Sequence, residues 1–275
     1  MAHEASRPIV LVTGASGLLG TWLRRTAPAG VEVVSVVHRT PVDGPSVAAD
    51  LRDPHVVDRA FDEVRPSLVI HAAMVVDEAS IVDATRNVAS AAARSGVPLV
   101  FISTDAVFSG DGELRDEDAP PDPIWDYGRW KTEAEAVVCD ARPGAAIIRL
   151  PLVVSLDPED KAVERTRLAA QAGERIAWFD DELRQPAMAS DLAPAIWRIA
   201  SLPPERGAGA WHLMGPERLS RFAIAQRIVA ALGLDSETVV GEPTEPGLAR
   251  PRDLHLGCGR ARAEIGWDPV PILGS

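Results

Sequence analysis

Over the first 150 positions, short continuous apolar runs alternate with longer segments in which apolar residues recur at helical spacing. The runs are "PIVLVTG" (8–14), "VEVVSVVHR" (31–39), "SLVIHAA" (67–73), "VPLVFIST" (97–104) and "GAAIIRL" (144–150). They are rich in β-branched residues and do not alternate with polar ones. That pattern predicts strands buried on both faces of a sheet. Between them, "LLGTWLRRTAPAG" (18–30), "DPHVVDRAFDEVRP" (53–66), "SIVDATRNVASAAARSG" (80–96) and a segment opening at "DYGRWKTEAE" (126–135) read as helices. Asp53 is placed as an N-cap with proline in the first turn, and Pro28–Gly30 and Gly96 are stop signals. Strand–helix alternation predicts an α/β fold: a doubly wound parallel sheet with right-handed crossovers and helices on both faces.

After Leu150 the rhythm loosens. "DPEDKAVERTRLAAQAG" (157–173) and "RFAIAQRIVAALG" (221–233) read as helices, "GAWHLMG" (209–215) as a short strand, and "GEPTEPGLARPRD" (241–253) as a proline-rich loop. The expected organisation is a dinucleotide-binding Rossmann domain over 1–150. A smaller, mainly substrate-binding domain over 151–275 follows, with some segments returning to the Rossmann sheet. At 275 residues the chain can bury a core of that size.

The first strand–helix junction, "TGASGLLG", places Gly14, Gly17 and Gly20 at GxxGxxG spacing. Glycine permits a tight turn and close approach of a pyrophosphate, and the helix N-terminus offers N–H groups and a favourable dipole. Ser16, Leu18 and Leu19 complete the expected cradle. No acidic residue stands at the tip of the second strand, where NAD-selective sites often carry one. Arg39 is placed to meet a 2′-phosphate, so the expected cofactor is NADP(H), with NAD as the second candidate. Asp50 and Leu51 are placed beside the adenine, and Ala72, Ala73 and Met74 where small residues after the third run let the backbone approach the cofactor.

With that loop, "HAA", "FISTDAVFSGDG" and "YGRWKTEAE", the chain resembles the extended short-chain dehydrogenase/reductase superfamily. Within it the likeness is to the dTDP-4-dehydrorhamnose reductase family and covers nearly the whole chain, including "DEDAPPDP", "WHLMGPERLSRFAIAQRI" and "RPRDLHL". The resemblance implies hydride transfer from a nicotinamide to a keto group of a nucleotide-linked deoxysugar or a related secondary-metabolite carbonyl. It implies that Thr104 holds the carbonyl, that Tyr127, the one tyrosine of the chain, is the proton donor, and that Lys131 lowers the phenol's pKa and holds the nicotinamide ribose. It also places Pro151 against the cofactor. Dehydratases of this superfamily follow the catalytic threonine with Asp-Glu; here Thr104-Asp105-Ala106 replaces the Glu, which argues against water expulsion. Ala106 also departs from the reductase family's tyrosine and opens space beside the substrate. Ile81 stands where an asparagine is expected. The alternatives are a sugar-nucleotide epimerase and a non-catalytic, NADP-binding regulatory subunit.

For the substrate itself the candidates are Ala106, Trp125, and Arg184 and Arg252, with Arg250, for a diphosphate. The acidic stretch Gly110–Pro123 reads as a solvated loop. His71 reads as a satisfied core histidine. His255 and Cys258 lack a second ligand pair, so no metal is expected. A net charge of −12 argues against nucleic acid and against an anionic membrane. Two cysteines outside any CxxC point to a reducing cytoplasm. No long apolar run precedes the glycines, and none reaches membrane-spanning length. A homodimer is compatible with the sequence.

Overall fold

The computed structural model describes residues 7–274. The expected runs form strands β1 (Ile9–Thr13), β2 (Glu32–Val37), β4 (Leu68–His71), β5 (Leu99–Thr104) and β6 (Ala146–Leu150). Two short strands complete the seven-stranded sheet, β3 (Ser46–Ala48) and β7 (Gly209–His212). The order across the sheet is β7-β6-β5-β4-β1-β2-β3. β1 pairs in parallel with both β2 and β4, Val12 lying opposite Ser35 and Ile70. The strand order reverses at β1, and ligands of open α/β sheets bind at that point, outside the carboxyl ends of the strands.

The helices follow the apolar spacing: α1 (Leu18–Arg25), α2 (Pro54–Val64), α3 (Ala84–Arg94) and α4 (Asp126–Ala141). The Asp53 carboxylate caps α2, accepting from the backbone N–H of His55 at 2.9 Å and of Val56 at 3.4 Å. α3 is entered through a π-helical turn over Ala79–Asp83, in which Ile81 is buried. The third helical segment of the sequence is therefore wound in two ways.

The chain forms two compact units that interleave in sequence. The first contains residues up to Ser103, Trp130–Ile148 and Ile196–Ala210. Its core is lined by Leu11, Leu23, Val69, Ile70, Val88 and Phe101. The indole N–H of Trp197 donates to the Leu23 carbonyl at 3.0 Å, fastening the helix Ala189–Ala200 to α1. The second contains Thr104–Arg129, Arg149–Ala195 and the residues from Trp211 onward. There the helices Lys161–Ala172 and Arg221–Leu232 bury Val163, Ile224 and Ile228 with Val154 and Ile272.

A four-stranded sheet in the second unit runs in the order Leu219–Ser220, Leu183–Arg184, Asp253–Leu256, Asp111–Arg115. The acidic stretch read as a loop thus contains a strand, Asp111–Arg115, parallel to Asp253–Leu256. Its sequence lacks an apolar alternation, and the ladder comes from the partner strand. Among the described residues, no helix is long and apolar enough to cross a membrane.

Candidate functional site

In the first unit, a cavity of about 540 Å³ lies between the glycine loop, the end of β2 and the end of β4. Gly14, Ser16, Gly17, Arg39, Asp50, Leu51, Ala72, Ala73 and Met74 all line it, as the sequence places them. The three glycines do different jobs. Gly14 has φ +68°, and a Cβ there would stand 2.6 Å from the Ala72 carbonyl oxygen. Gly20 is buried, and its Cβ would stand 2.3 Å from the Gly14 carbonyl oxygen. These two let the loop, α1 and β4 close on one another. Gly17 is the exposed N-cap of α1, with the Gly14 oxygen at 3.3 Å from a built Cβ. Of the three it is the exposed one. Leu18 and Leu19, half-buried, form the first turn of α1 and are outside the cavity lining.

The charges in this cavity are unevenly engaged. Asp50 is held by Arg52 through two bonds of 2.9 and 2.7 Å, and His38 stands 3.8 Å away. These contacts, the Arg52 side chain first, hold the Asp50 carboxyl well below the usual range. Arg39 is exposed and has no ion-pair partner among the described residues. One contact not anticipated from sequence supports the wall: the Asn87 amide of α3 donates to the Leu51 carbonyl at 2.9 Å.

Below the cavity runs a buried chain of hydroxyls. Thr13 Oγ1 accepts from the N–H of Ala72 and of Ala73, both at 3.1 Å, and lies 2.7 Å from His71 Nδ1. His71 Nε2 is 3.1 Å from Thr85 Oγ1, which donates to the Ile81 carbonyl at 2.5 Å. With Thr13 already accepting twice, its own proton goes to Nδ1, and His71 is the Nε2–H tautomer. Burial, helped by Lys131, pushes the imidazole down to about 3. His71 is therefore the satisfied core histidine expected from the sequence.

α4 carries Tyr127 and Lys131 one turn apart. Lys131 is buried; its Nζ donates to the Ile102 carbonyl at 2.8 Å and lies 4.7 Å from the Phe101 ring centroid. Burial pushes the ammonium down to about 8, with Glu135 opposing. In the second unit, burial pushes the Tyr127 phenol up to about 12, with the Thr104 side chain opposing. The direction is the reverse of the expected lowering, because desolvation of the phenolate is the largest influence on this residue. Thr104 Oγ1 donates to Asp105 Oδ1 at 3.1 Å and accepts from Ala106 N–H at 3.2 Å. Ala106 is buried in a 3₁₀ turn over Asp105–Val107.

Trp125 stands edge-on to Tyr127, with centroids 5.3 Å apart, and donates to the Ala106 carbonyl at 3.3 Å. Gly128, which the sequence reading missed, has no room for a side chain: its Cβ would meet the Ala106 oxygen at 2.3 Å.

The arginines read as diphosphate candidates are engaged. Arg184 is buried, donating to the carbonyls of Leu183 at 2.7 Å and Pro251 at 2.8 Å, and pairs with Glu182 at 3.2 Å. Arg250 meets the same carboxylate at 2.6 Å, and Arg221 lies 3.9 Å from it. Glu182, fully buried at the centre of three arginines, carried no signal in an irregular stretch of sequence. Arg252 pairs with Asp181 at 2.8 Å. Pro151 is buried in the second unit. The Cys258 thiol, also buried, accepts from Met214 N–H at 3.1 Å.

A family profile described as the RmlD substrate binding domain matches residues 8–271. The chain belongs to that family. This places it among extended short-chain dehydrogenases/reductases resembling RmlD. It is 30% identical to methionine adenosyltransferase 2 subunit beta of Bos taurus, over 91% of this chain and 80% of the relative. It is 28% identical to the probable low-salt glycan biosynthesis reductase Agl14 of Haloferax volcanii, over 93% of this chain and 91% of the relative. The dTDP-4-dehydrorhamnose reductase (rfbD) of Bacillus anthracis, solved in complex with NADP, shares the fold with a TM-score of 0.82. It is 24% identical, over 98% of this chain and 96% of that one.

Proposed function

We propose that this RmlD-family protein is an NADP(H)-preferring reductase acting on the keto group of a nucleotide-linked deoxysugar or a related carbonyl. The observation that carries the reading is Tyr127 and Lys131 one turn apart on α4, with the Thr104 side chain favouring the Tyr127 phenolate. The NADP complex of the Bacillus anthracis relative and the reductase description of the Haloferax volcanii relative support it.

When bound, the dinucleotide supplies the hydride. The glycine loop, with Gly14, Ser16 and Gly17 lining the cavity, and the N-terminus of α1 would hold its pyrophosphate. Arg39, lining the cavity, meets the 2′-phosphate. At neutral pH the Tyr127 phenol keeps its proton, which is the form a reduction requires. With a ketone bound, Tyr127 would give its proton to the carbonyl oxygen, and the Thr104 hydroxyl, turned from Asp105 Oδ1, would donate to the phenolate that remains. Lys131 holds the nicotinamide ribose and carries the positive charge that balances the phenolate. Ala106 leaves space beside the substrate. A substrate diphosphate reaching Arg184 or Arg252 would compete there with Glu182 or Asp181.

A second reading, a cofactor-binding regulatory subunit, is favoured by the 30% identity to the methionine adenosyltransferase 2 beta subunit. A panel of nucleotide-linked keto sugars, offered with NADPH and with NADH and followed by reduced-nicotinamide absorbance, separates the two. Substrate-dependent oxidation supports the reductase. Cofactor binding with no turnover across the panel, together with stable co-elution with a larger enzyme, supports the subunit.

A further inference from the structure

Beside the dinucleotide cavity lies a second one, of about 310 Å³, lined by Ser16, Arg24, Thr40, Pro41, Val42 and Asp43. Ser16 and Thr40 line both cavities, so the two meet beyond the tip of β2, next to Arg39. Arg24 belongs to the last turn of α1. Its Nη1 donates to the Asp43 backbone carbonyl at 3.1 Å, which fixes the guanidinium against the loop between β2 and β3. Its Nε is buried and has no hydrogen-bond partner among the described residues. A buried donor without a partner is costly and calls for one. With Nη1 anchored, the Nε–Nη2 edge remains, and that edge takes a phosphate through two parallel bonds. The C-terminal end of a helix carries partial negative charge, so an anion settles there only where cations outweigh it. Arg24 and Arg39 supply two, against the one exposed carboxylate of Asp43 on the cavity wall.

We propose that this side cavity is the seat of the cofactor's 2′-phosphate, and that Arg24, with the hydroxyls of Ser16 and Thr40, determines NADP selectivity together with Arg39 of the adjoining cavity. The loop Thr40–Asp43 then forms a phosphate-binding wall, with Arg24 as its backing. The proposal rests on the dinucleotide reading of the larger cavity.

Calorimetric titration of the intact protein with NADP⁺, NAD⁺, 2′,5′-ADP and 5′-ADP tests both and separates their failures. If wild-type protein binds none of the four, the dinucleotide reading falls and this proposal with it. If the dinucleotides bind, Arg24→Gln should weaken NADP⁺ and 2′,5′-ADP by roughly tenfold or more, the effect of losing a charge-assisted contact. NAD⁺ and 5′-ADP, which lack the phosphate, should change by less than about twofold, because no neutral partner of Arg24 is lost with them. Arg24→Lys should recover part of the loss, since charge returns without the fork. Thr40→Val should weaken NADP⁺ alone, and decides the matter if Arg24→Gln fails to fold. Wild-type NADP⁺ affinity in a folded Arg24→Gln protein would overturn the proposal. So would an equal loss for NADP⁺ and NAD⁺, the mark of a merely structural role.

Discussion

Burial moves the two proton carriers of α4 in opposite directions, the Tyr127 phenol up to about 12 and the Lys131 ammonium down to about 8. In the physiological range the phenol is therefore a loaded acid and the lysine is mostly charged. Above pH 8 the lysine charge is lost, so the rate of ketone reduction should fall there. Folding responds with the opposite sign. The native lysine releases its proton near 8 and the unfolded one near 10.5, so its contribution to stability rises with pH across that window. Lys131→Met should abolish both trends, lower turnover throughout, and weaken cofactor binding by removing the proposed ribose contact. A pH–rate profile and urea midpoints on both proteins check this; parallel profiles for wild type and variant would contradict it. The placement of Tyr127 and Lys131 on one helix and of the glycines at a strand–helix turn was legible in sequence because regular spacing marks a helix face or a loop. Glu182, Gly128 and Arg24 were not. Each depends on a neighbour distant in the chain: Arg221 and Arg250 beside Glu182, the Ala106 carbonyl, and the Asp43 carbonyl.

At the scale of elements, the position of α4 is set by contact at Gly128, whose built Cβ lies 2.3 Å from the Ala106 oxygen and 2.9 Å from Pro123. Gly128→Ala should push the first turn of α4 away and carry Tyr127 with it. The expected cost is about 1–3 kcal/mol of stability, typical of overpacking, with a loss of turnover. Gly144→Ala, at a site open to 4 Å, should show neither change and serves as the control. Denaturation midpoints and turnover on the two variants measure it. The glycine loop divides in the same way. Gly17→Val should abolish cofactor binding in a folded protein, whereas Gly14→Val should also destabilise the fold by striking Ala72. Equal melting midpoints for the two would contradict that division. The five long strands and four helices of the first 150 residues were legible because a parallel sheet covered on both faces needs unbroken apolar runs. β3 and Asp111–Arg115 were not, since short edge strands are defined by their partners rather than by their own composition.

For the whole molecule, acid should be destabilising through two buried imidazoles. His71 in the first unit and His212 in the second are each held near 3 by burial, against an ordinary 6.5. As pH falls below 6.5 the unfolded chain binds protons that the native chain refuses, so stability is lost progressively between about 6.5 and 3. His212 Nδ1 lies 2.9 Å from the Gly257 carbonyl and its Nε2 lies 3.3 Å from Arg149. His212→Gln can keep both contacts without titrating, and should flatten part of the fall in urea midpoint from pH 7 to 4.5. An unchanged slope would contradict the assignment. Reductase and cofactor-binding subunit are distinguished most directly by one measurement: single-turnover oxidation of protein-bound NADPH by a nucleotide-linked keto sugar, in wild type and in Tyr127→Phe. Removal of the phenol hydroxyl should slow hydride transfer by roughly 10²–10⁴-fold, with the fold intact and NADPH affinity unchanged. Transfer at the wild-type rate in Tyr127→Phe would contradict the assignment of Tyr127 as the acid, and the reductase mechanism built on it.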